Sequence, residues 1–65
     1  MVRELVTLAE FEEVLNSNAN KLVVVDFTAT WCPPCQMIAP VIETLSHEFP
    51  DVVFVKVDVN KNSVI

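Results

Sequence analysis

The feature that most constrains this chain is a pair of cysteines lying between a strand pattern and a helix pattern. The apolar run Leu22–Phe27 leads into the sequence Trp-Cys-Pro-Pro-Cys at residues 31–35, and apolar residues at helical spacing follow from Gln36 onward. A strand that runs through a short loop into a helix is the repeating unit of α/β proteins. The chain is therefore expected to form an α/β fold with the cysteines at the amino end of a helix.

Strand patterns elsewhere extend this unit to the order β-α-β-α-β. We predict strands over Val2–Val6, Lys21–Thr28 and Val52–Val59. The unbroken apolar run of the second strand favours a parallel strand at the centre of the sheet, covered on both faces. The intervening helices are long enough for the right-handed crossovers that parallel strands need. Alternation in the third strand places four valines on one face: Val53, Val55, Val57 and Val59.

The first helix is marked by its start signal. Thr7 is followed three residues later by Glu10, which fits a capping box with Thr7 as the N-cap. The asparagines within residues 16–20 are expected to end the helix, since asparagine tolerates the left-handed conformation common at helix carboxyl ends. Its core face is predicted from helical spacing to consist of Leu8, Phe11, Val14 and Leu15.

The second helix follows the cysteines and contains a proline. Pro40 removes a backbone donor inside the helix and is expected to kink it. A turn at residues 50–51 follows, and residues 60–65 are expected to begin another element. The apolar stripe of this helix is predicted to consist of Met37, Ile38, Val41, Ile42 and Leu45. Its water-facing side is predicted to consist of Glu43, Ser46, His47 and Glu48.

Charge and hydropathy narrow the functional classes. The 65-residue chain has a net charge of −5, and its four basic residues are scattered, so it offers no basic patch for nucleic acid. The first residues do not fit a signal peptide, and the run Leu22–Phe27 is too short to span a membrane. We therefore expect one cytoplasmic domain. In that reducing compartment a Cys-x-x-Cys motif is more often catalytic or metal-binding than structural.

The positions of the two cysteines suggest thiol–disulfide chemistry. Cys32 would lie at the helix amino end, where unpaired amides and the helix dipole favour a thiolate. Cys35 would lie one turn deeper, where it could attack a mixed disulfide formed at Cys32. The residues alone leave two alternatives: a static structural pair, or a dimer whose four thiolates bind zinc or an iron–sulfur cluster. A single chain with a distant His47 cannot supply the four ligands of a structural zinc site.

Further residues could contribute to such a site. Asp26 is a carboxylate in an apolar strand, which is costly unless it is paired. It could accept a proton near the cysteines, or it could cap a turn at the end of its strand. Lys56 could pair with Asp26 across neighbouring strands or extend into solvent. Trp31 could shield the sulfurs and offer a flat contact surface, or it could pack as a partly buried aromatic residue. His47 is expected to be solvated and not catalytic.

The residues at positions 25–35, Val-Asp-Phe-Thr-Ala-Thr-Trp-Cys-Pro-Pro-Cys, resemble the active-site stretch of the thioredoxin family. Residues 37–40 are similar to the continuation of that stretch, and residues 54–59 are similar to the strand that follows it in the family. The resemblance covers essentially all 65 residues. It implies a thioredoxin-like fold and an oxidoreductase that reduces protein disulfides by dithiol exchange.

The resemblance also implies roles for individual residues. Cys32 would be the attacking nucleophile and Cys35 the resolving thiol, so that a redox-active Cys32–Cys35 disulfide serves in place of any organic cofactor or metal. Asp26 would assist proton transfer, with Lys56 nearby. The expected partners are disulfide-bearing proteins and a thioredoxin reductase that restores the dithiol. The residues expected to bind substrate are Trp31, Pro33 and Pro34.

The chain departs from the family pattern in three ways. Pro33 and Pro34 stand where thioredoxins usually carry Gly-Pro. A Pro-Pro pair is more like that of tryparedoxins and nucleoredoxins, and it should shift the reduction potential. Gln36 stands where a basic residue is common, which removes a charge that would stabilise the thiolate. The sequence corresponds to a partial thioredoxin domain over residues 1–65, with the N-terminal β-α-β-α-β portion and without the C-terminal β-β-α portion.

The absent portion is expected to leave the strand Leu22–Phe27 at a bare edge of the sheet, with apolar surface uncovered. Two chains could pair through that edge, so a homodimer is one expectation. An inactive, self-associating fragment is the corresponding alternative to an active reductase.

Overall fold

The computed structural model describes residues 1–61 and has the β-α-β-α-β order that the sequence predicts. β1 and β3 are each one residue shorter than predicted at both ends, and β2 begins two residues later than predicted but ends at Thr28 as expected. Residues 60 and 61 lie in a turn, and the rest of the element predicted over residues 60–65 lies outside the described residues. The elements are β1 Arg3–Leu5, α1 Leu8–Ser17, β2 Val23–Thr28, α2 Pro33–Glu48 and β3 Val53–Asp58.

The three strands form one parallel sheet in the order β1-β3-β2. The prediction of a central β2 covered on both faces is wrong for residues 1–61: β3 is central there, and β2 lies at an edge and is half-buried along most of its length. An unbroken apolar run is therefore compatible with an edge strand in this part of the chain. As the resemblance implies, no strand among residues 1–61 pairs with the outer side of β2.

The core lies on the face of the sheet that α1 covers. Val55 and Val57 of β3 are buried there together with Leu5 of β1 and Val14 of α1. Burying each such side chain contributes about 1.5–3 kcal/mol, so most of the apolar stabilisation on this face comes from a few residues. Val59, predicted to share the face of the other valines, follows the end of β3 and is exposed.

Helix α1 begins with the predicted capping box. The Glu10 N–H donates to the Thr7 hydroxyl oxygen at 3.1 Å, and the Thr7 N–H donates to the Glu10 carboxylate at 3.0 Å. The Val6 N–H donates to the same carboxylate at 3.0 Å. The hydrogen bonds that the Glu10 carboxylate accepts, first from the Val6 N–H and then from the Thr7 N–H, hold the pKa of Glu10 below its ordinary value of 4.5.

The core face of α1 is narrower than predicted. Phe11 and Val14 pack against the sheet, whereas Leu8 and Leu15 are exposed because they lie to either side of that contact. The left-handed helix end is also a wrong prediction: the C-cap Asn18 has a φ of −123°, and no residue in the range 1–61 has a positive φ. Instead, the Asn18 side-chain amide donates to the Val14 carbonyl at 2.8 Å and satisfies a free carbonyl of the last turn.

Helix α2 covers the opposite face of the sheet, where alternate strand residues line an apolar cavity of about 260 Å³. Met37, Ile38 and Val41, predicted to be in the apolar stripe, are exposed because α2 faces the sheet with another side of its surface, the side that carries Gln36, Ala39 and Ile42. The cavity is lined by Leu22, Val24, Ile42, Leu45, Phe49, Val52 and Phe54.

No helix within the described range is long and apolar enough to cross a membrane.

Ser46 lies on the buried side of α2, although the sequence pattern predicted that it faces water. It is only 5% exposed. Its hydroxyl oxygen accepts a hydrogen bond from the N-terminal ammonium of Met1 at 2.7 Å and donates to the Glu43 carbonyl at 2.6 Å. These two bonds are the reason that a polar side chain is tolerated in this position. The kink at Pro40 remains a prediction, and α2 is one continuous helix around it.

Candidate active site

Helix α2 begins at Cys32, which is its N-cap residue. Cys32 has an extended backbone, with φ −102° and ψ 102°, and prolines occupy the first helical positions. Proline fits these positions because the first N–H groups of a helix have no partner within it, and because the ring already holds φ near the helical value. The pair Pro33 and Pro34 therefore determines where α2 starts, and it also removes two N–H groups from the neighbourhood of Cys32.

Cys32 and Cys35 are joined by a disulfide bond across the first turn of α2, with their Cα atoms 5.3 Å apart. The Cys35 N–H donates to the Cys32 Sγ, at an N···S distance of 3.3 Å. Both residues are half-buried, so this turn is partly open to solvent. When the disulfide is reduced, an amide donor and the positive end of the helix dipole both favour the thiolate form of Cys32.

The loop between β2 and α2 is held by two hydrogen bonds to one carbonyl. Ala29 is 3% exposed, and its carbonyl oxygen accepts from the Cys32 N–H at 3.2 Å and from the Gln36 side-chain amide at 2.8 Å. The first bond closes the loop and the second joins it to the first turn of α2. The Cys32 carbonyl in turn accepts from the Gln36 N–H at 3.1 Å, so the backbone of Cys32 is held through both its N–H and its carbonyl.

The three residues predicted to bind substrate form an exposed surface beside Cys32. Trp31 is 71% exposed, so it does not pack as a partly buried aromatic residue. Pro33 and Pro34 are exposed as well. The arrangement is compatible with a contact surface for another molecule, because large apolar side chains here are open to solvent next to the sulfurs.

Asp26 and Lys56 lie side by side, in register on the adjacent strands β2 and β3. Both are half-buried and line a polar cleft of about 180 Å³. None of the ion pairs found within residues 1–61 joins them, so they are neighbours in the sheet and not a salt bridge. The cleft reaches Gln36, one residue beyond Cys35, but neither cysteine lines it. Its remaining lining residues are Glu4, Thr28, Thr30, Ala39, Asp58 and Lys61.

Sequence reasoning missed three charged residues that share this cleft. Glu4 lies in register beside Lys56 on β1, and its carboxylate is 3.4 Å from the Lys61 ammonium. Asp58 is 6% exposed and accepts a hydrogen bond from the Asn60 N–H at 2.9 Å. Strand alternation would have placed Asp58 on the same face as Lys56. The position of Glu4 depends on the pairing of β1 with β3, for which the sequence pattern contains no signal.

His47 lies in the last turn of α2 and is exposed, as predicted. Its Nε2 atom is 3.4 Å from the Glu43 carboxylate one turn earlier in the helix. Among the residues that the structure describes, no group of three or more His, Cys, Asp or Glu side chains is arranged to bind a metal ion. These residues therefore give no support to the alternative of a metal or cluster shared between two chains.

These observations define a class of protein. A parallel α/β sheet carries a Cys-x-x-Cys disulfide at the start of a helix, with an exposed aromatic residue before it and a polar cleft beside it. Such a motif next to a βαβ unit is typical of thioredoxin-like redox proteins. The chain belongs to the thioredoxin family, whose sequence profile matches residues 2–65. Both the resemblance and the fold class expected from the sequence are thereby confirmed.

Individual relatives agree with this assignment. The chain is 55% identical to a thioredoxin of Geodia cydonium over 62 residues, which are 95% of the chain and 58% of the relative. The X-ray structure of Fasciola hepatica thioredoxin matches with a TM-score of 0.93 at 50% identity, covering 95% of the chain and 60% of that structure. The oxidised form of mitochondrial thioredoxin 3 from Saccharomyces cerevisiae matches with a TM-score of 0.88 at 40% identity, covering 97% and 57%. The chain spans less than two thirds of the length of these relatives.

Proposed function

We propose that this chain is a thiol–disulfide oxidoreductase of the thioredoxin type that reduces disulfides in other proteins. The observation that carries the proposal is the Cys32–Cys35 disulfide at the start of α2, with the Cys35 N–H directed at the Cys32 sulfur. Dithiol exchange needs a stabilised thiolate and a second thiol within reach of it. One helical turn supplies both groups.

The proposed reaction begins with the reduced chain. The Cys32 thiolate attacks one sulfur of a substrate disulfide, the substrate S–S bond breaks, and the leaving substrate thiolate takes up a proton. The Cys35 thiol then loses its proton and attacks the Cys32 sulfur of the mixed disulfide. The Cys32–Cys35 disulfide forms, the second substrate sulfur leaves as a thiol, and two electrons have passed from the chain to the substrate.

Asp26 is proposed as the acceptor of the proton that Cys35 loses. Its carboxylate lies in the half-buried polar cleft, which reaches the first turn of α2 at Gln36. Because neither cysteine lines the cleft, the proton would pass through water between Cys35 and Asp26. Lys56, in register with Asp26, places a compensating positive charge beside that carboxylate.

Substrate binding is assigned to the exposed surface beside the nucleophile. Trp31, Pro33 and Pro34 flank Cys32 and are open to solvent. A flat apolar surface can bind an unfolded or extended protein segment without demanding a particular sequence. We therefore expect disulfide-bearing proteins, rather than small molecules, as the substrates.

The oxidised chain needs an external electron donor before it can react again. A thioredoxin reductase is the partner that family membership suggests for this step, and the redox-active disulfide itself needs no organic cofactor. Cytoplasmic thiols would keep the chain largely reduced, so we propose the cytoplasm as its location.

Reduction of insulin disulfides by dithiothreitol tests this function directly. We expect the 65-residue chain to accelerate insulin precipitation and the variant Cys32→Ser to leave only the background rate of dithiothreitol. Ser17→Ala, a substitution at the exposed end of α1, should retain the rate of the parent chain. Equal rates for the parent chain and Cys32→Ser would contradict the proposal.

A further inference from the structure

Gln36 makes a contact that the resemblance does not account for. Its side-chain Nε2 donates to the Ala29 carbonyl at 2.8 Å, seven residues earlier in the chain. The same carbonyl accepts from the Cys32 N–H at 3.2 Å. Since Ala29 follows directly after β2 and is almost completely buried, Gln36 joins the first turn of α2 to a fixed point at the end of the sheet.

The two prolines make the position of Cys32 unusually dependent on such contacts. Pro34 occupies the second position of α2, where most residues could direct an N–H toward the N-cap side chain, so that only the third position, Cys35, can supply such a donor. In the described part of the chain, the hydrogen bond from the Cys35 N–H is the one backbone donor to the Cys32 sulfur. A small displacement of Cys32 would lengthen that bond and leave the sulfur without an amide partner.

We propose that Gln36 is a positioning residue for Cys32: its side-chain amide holds the loop of residues 29–32 against α2 and so keeps the Cys32 sulfur within reach of the Cys35 N–H. This inference rests on the proposed function, because it concerns the thiolate that dithiol exchange uses. Gln36 acts through the Ala29 carbonyl and does not touch the sulfur itself.

The contact should matter more in the reduced chain than in the oxidised one. In the oxidised chain the covalent bond between Cys32 and Cys35 already holds the turn together. In the reduced chain that constraint is lost, and the loop is held by hydrogen bonds: the two to the Ala29 carbonyl, and one from the Gln36 N–H to the Cys32 carbonyl at 3.1 Å. Removal of the Gln36 bond should therefore destabilise the dithiol relative to the disulfide, and it should make the chain a stronger reductant.

Equilibration with glutathione measures this effect. Two molecules of reduced glutathione convert the Cys32–Cys35 disulfide to the dithiol and form one glutathione disulfide, so the equilibrium constant reports the relative stability of the two states. For Gln36→Met, which keeps the side-chain length and removes the donor, we expect the constant to fall roughly two- to tenfold, the range that one hydrogen bond spans. Gln36→Asn, which keeps the amide and shortens its reach, should give a similar fall.

A second measurement separates positioning from general stability. In both Gln36 variants the thiolate absorbance of Cys32 should appear at higher pH than in the parent chain, because the sulfur loses its amide partner. Thr44→Val is a matched control, since it removes a side-chain hydrogen bond to the Pro40 carbonyl on the same helix, away from the cysteines. It should change neither the glutathione equilibrium nor the titration. Parent-like values in the Gln36 variants, or an equal shift in Thr44→Val, would overturn the proposal.

These outcomes can be told apart from a failure of the proposed function. Glutathione equilibration and thiolate titration need no protein substrate, so they report on Gln36 even if the chain does not reduce insulin. Conversely, a chain that reduces insulin while its Gln36 variants keep the parent equilibrium constant would refute the role of Gln36 alone.

Discussion

At the scale of single residues, the proposed chemistry depends on two sulfur atoms and one carboxylate. The Cys32 sulfur accepts a hydrogen bond from the Cys35 N–H and forms a disulfide with the Cys35 sulfur, so these two residues act by direct contact. Asp26 lies in the polar cleft, in register with Lys56, and neither sulfur lines that cleft. Loss of either cysteine should therefore abolish turnover, whereas loss of the carboxylate should only slow it.

The substitution Asp26→Asn tests the proton acceptor at the residue scale. It keeps the size of the side chain and removes the group that takes the proton from Cys35. We expect insulin reduction at neutral pH to slow roughly 10- to 100-fold. This is at or below the low end of the rate enhancement that a positioned general base supplies, because here the proton passes through water. The Cys32–Cys35 disulfide should still form, which thiol counting in the oxidised variant would verify.

Glu4→Gln is the matched control for this experiment. Glu4 flanks Lys56 on the opposite side from Asp26, in register on β1, and its carboxylate lines the same cleft. Its replacement removes one charge from the cleft without removing the proposed acceptor. If Glu4→Gln slowed insulin reduction as much as Asp26→Asn, the charge of the cleft rather than a specific acceptor would be the cause.

At the scale of secondary structure, the two helices start by different means. Helix α1 starts with a capping box, in which one carboxylate accepts from the N–H groups of Val6 and Thr7. Helix α2 starts with a cysteine cap followed by two prolines that need no partner for their missing N–H groups. The start of α1 is therefore sensitive to protonation of Glu10, whereas the start of α2 is sensitive to the redox state of its cysteines.

The capping box makes a prediction for acid denaturation. The pKa of Glu10 lies below 4.5 in the folded chain, chiefly because of the Val6 N–H, and rises to its ordinary value on unfolding. The ionised carboxylate therefore stabilises the fold fully above about pH 4.5, and this contribution is lost as the pH falls through the lower folded value. Urea denaturation between neutral pH and about pH 3 should show a shallower loss of stability for Glu10→Gln than for the parent chain.

Glu12→Gln is the control for the capping box, because it removes an exposed glutamate from the same helix and leaves the box intact. It should lose stability with acid as steeply as the parent chain does. Parallel curves for Glu10→Gln and Glu12→Gln would show that the hydrogen bonds to Glu10 do not make the acid dependence of folding.

At the scale of the whole molecule, the sequence predicted the local features well, but it did not predict which sides of the helices and strands are buried. The capping box and the cysteine-capped start of α2 are each encoded within a few neighbouring residues, and both were predicted correctly. The burial of Ser46 depends on a partner 45 positions away, the N-terminal ammonium of Met1. The pairing of Glu4 with Lys61 spans 57 positions. No periodicity within a helix or strand carries information about contacts of that kind.

The edge and face assignments that were drawn from local apolar patterns failed for the same reason. The apolar run of β2 predicts a central strand. The position of β2 at the edge of the described sheet is decided instead by which strands pair with β3. Met37 and Val41 have helical spacing typical of a core stripe, yet they are exposed because α2 contacts the sheet along another part of its surface. The sequence predicts which elements form, and the tertiary packing decides which of their sides is covered.

The division of labour between the two cysteines is the central claim, and capture of a mixed disulfide tests it most directly. The variants Cys35→Ser and Cys32→Ser would each be reduced, freed of reductant, incubated with insulin, and analysed by mass spectrometry. We expect Cys35→Ser to accumulate a covalent adduct through Cys32, because no resolving thiol remains to release it, and Cys32→Ser to accumulate little. An adduct that forms equally well in Cys32→Ser, or in neither variant, would contradict the assignment of Cys32 as the nucleophile.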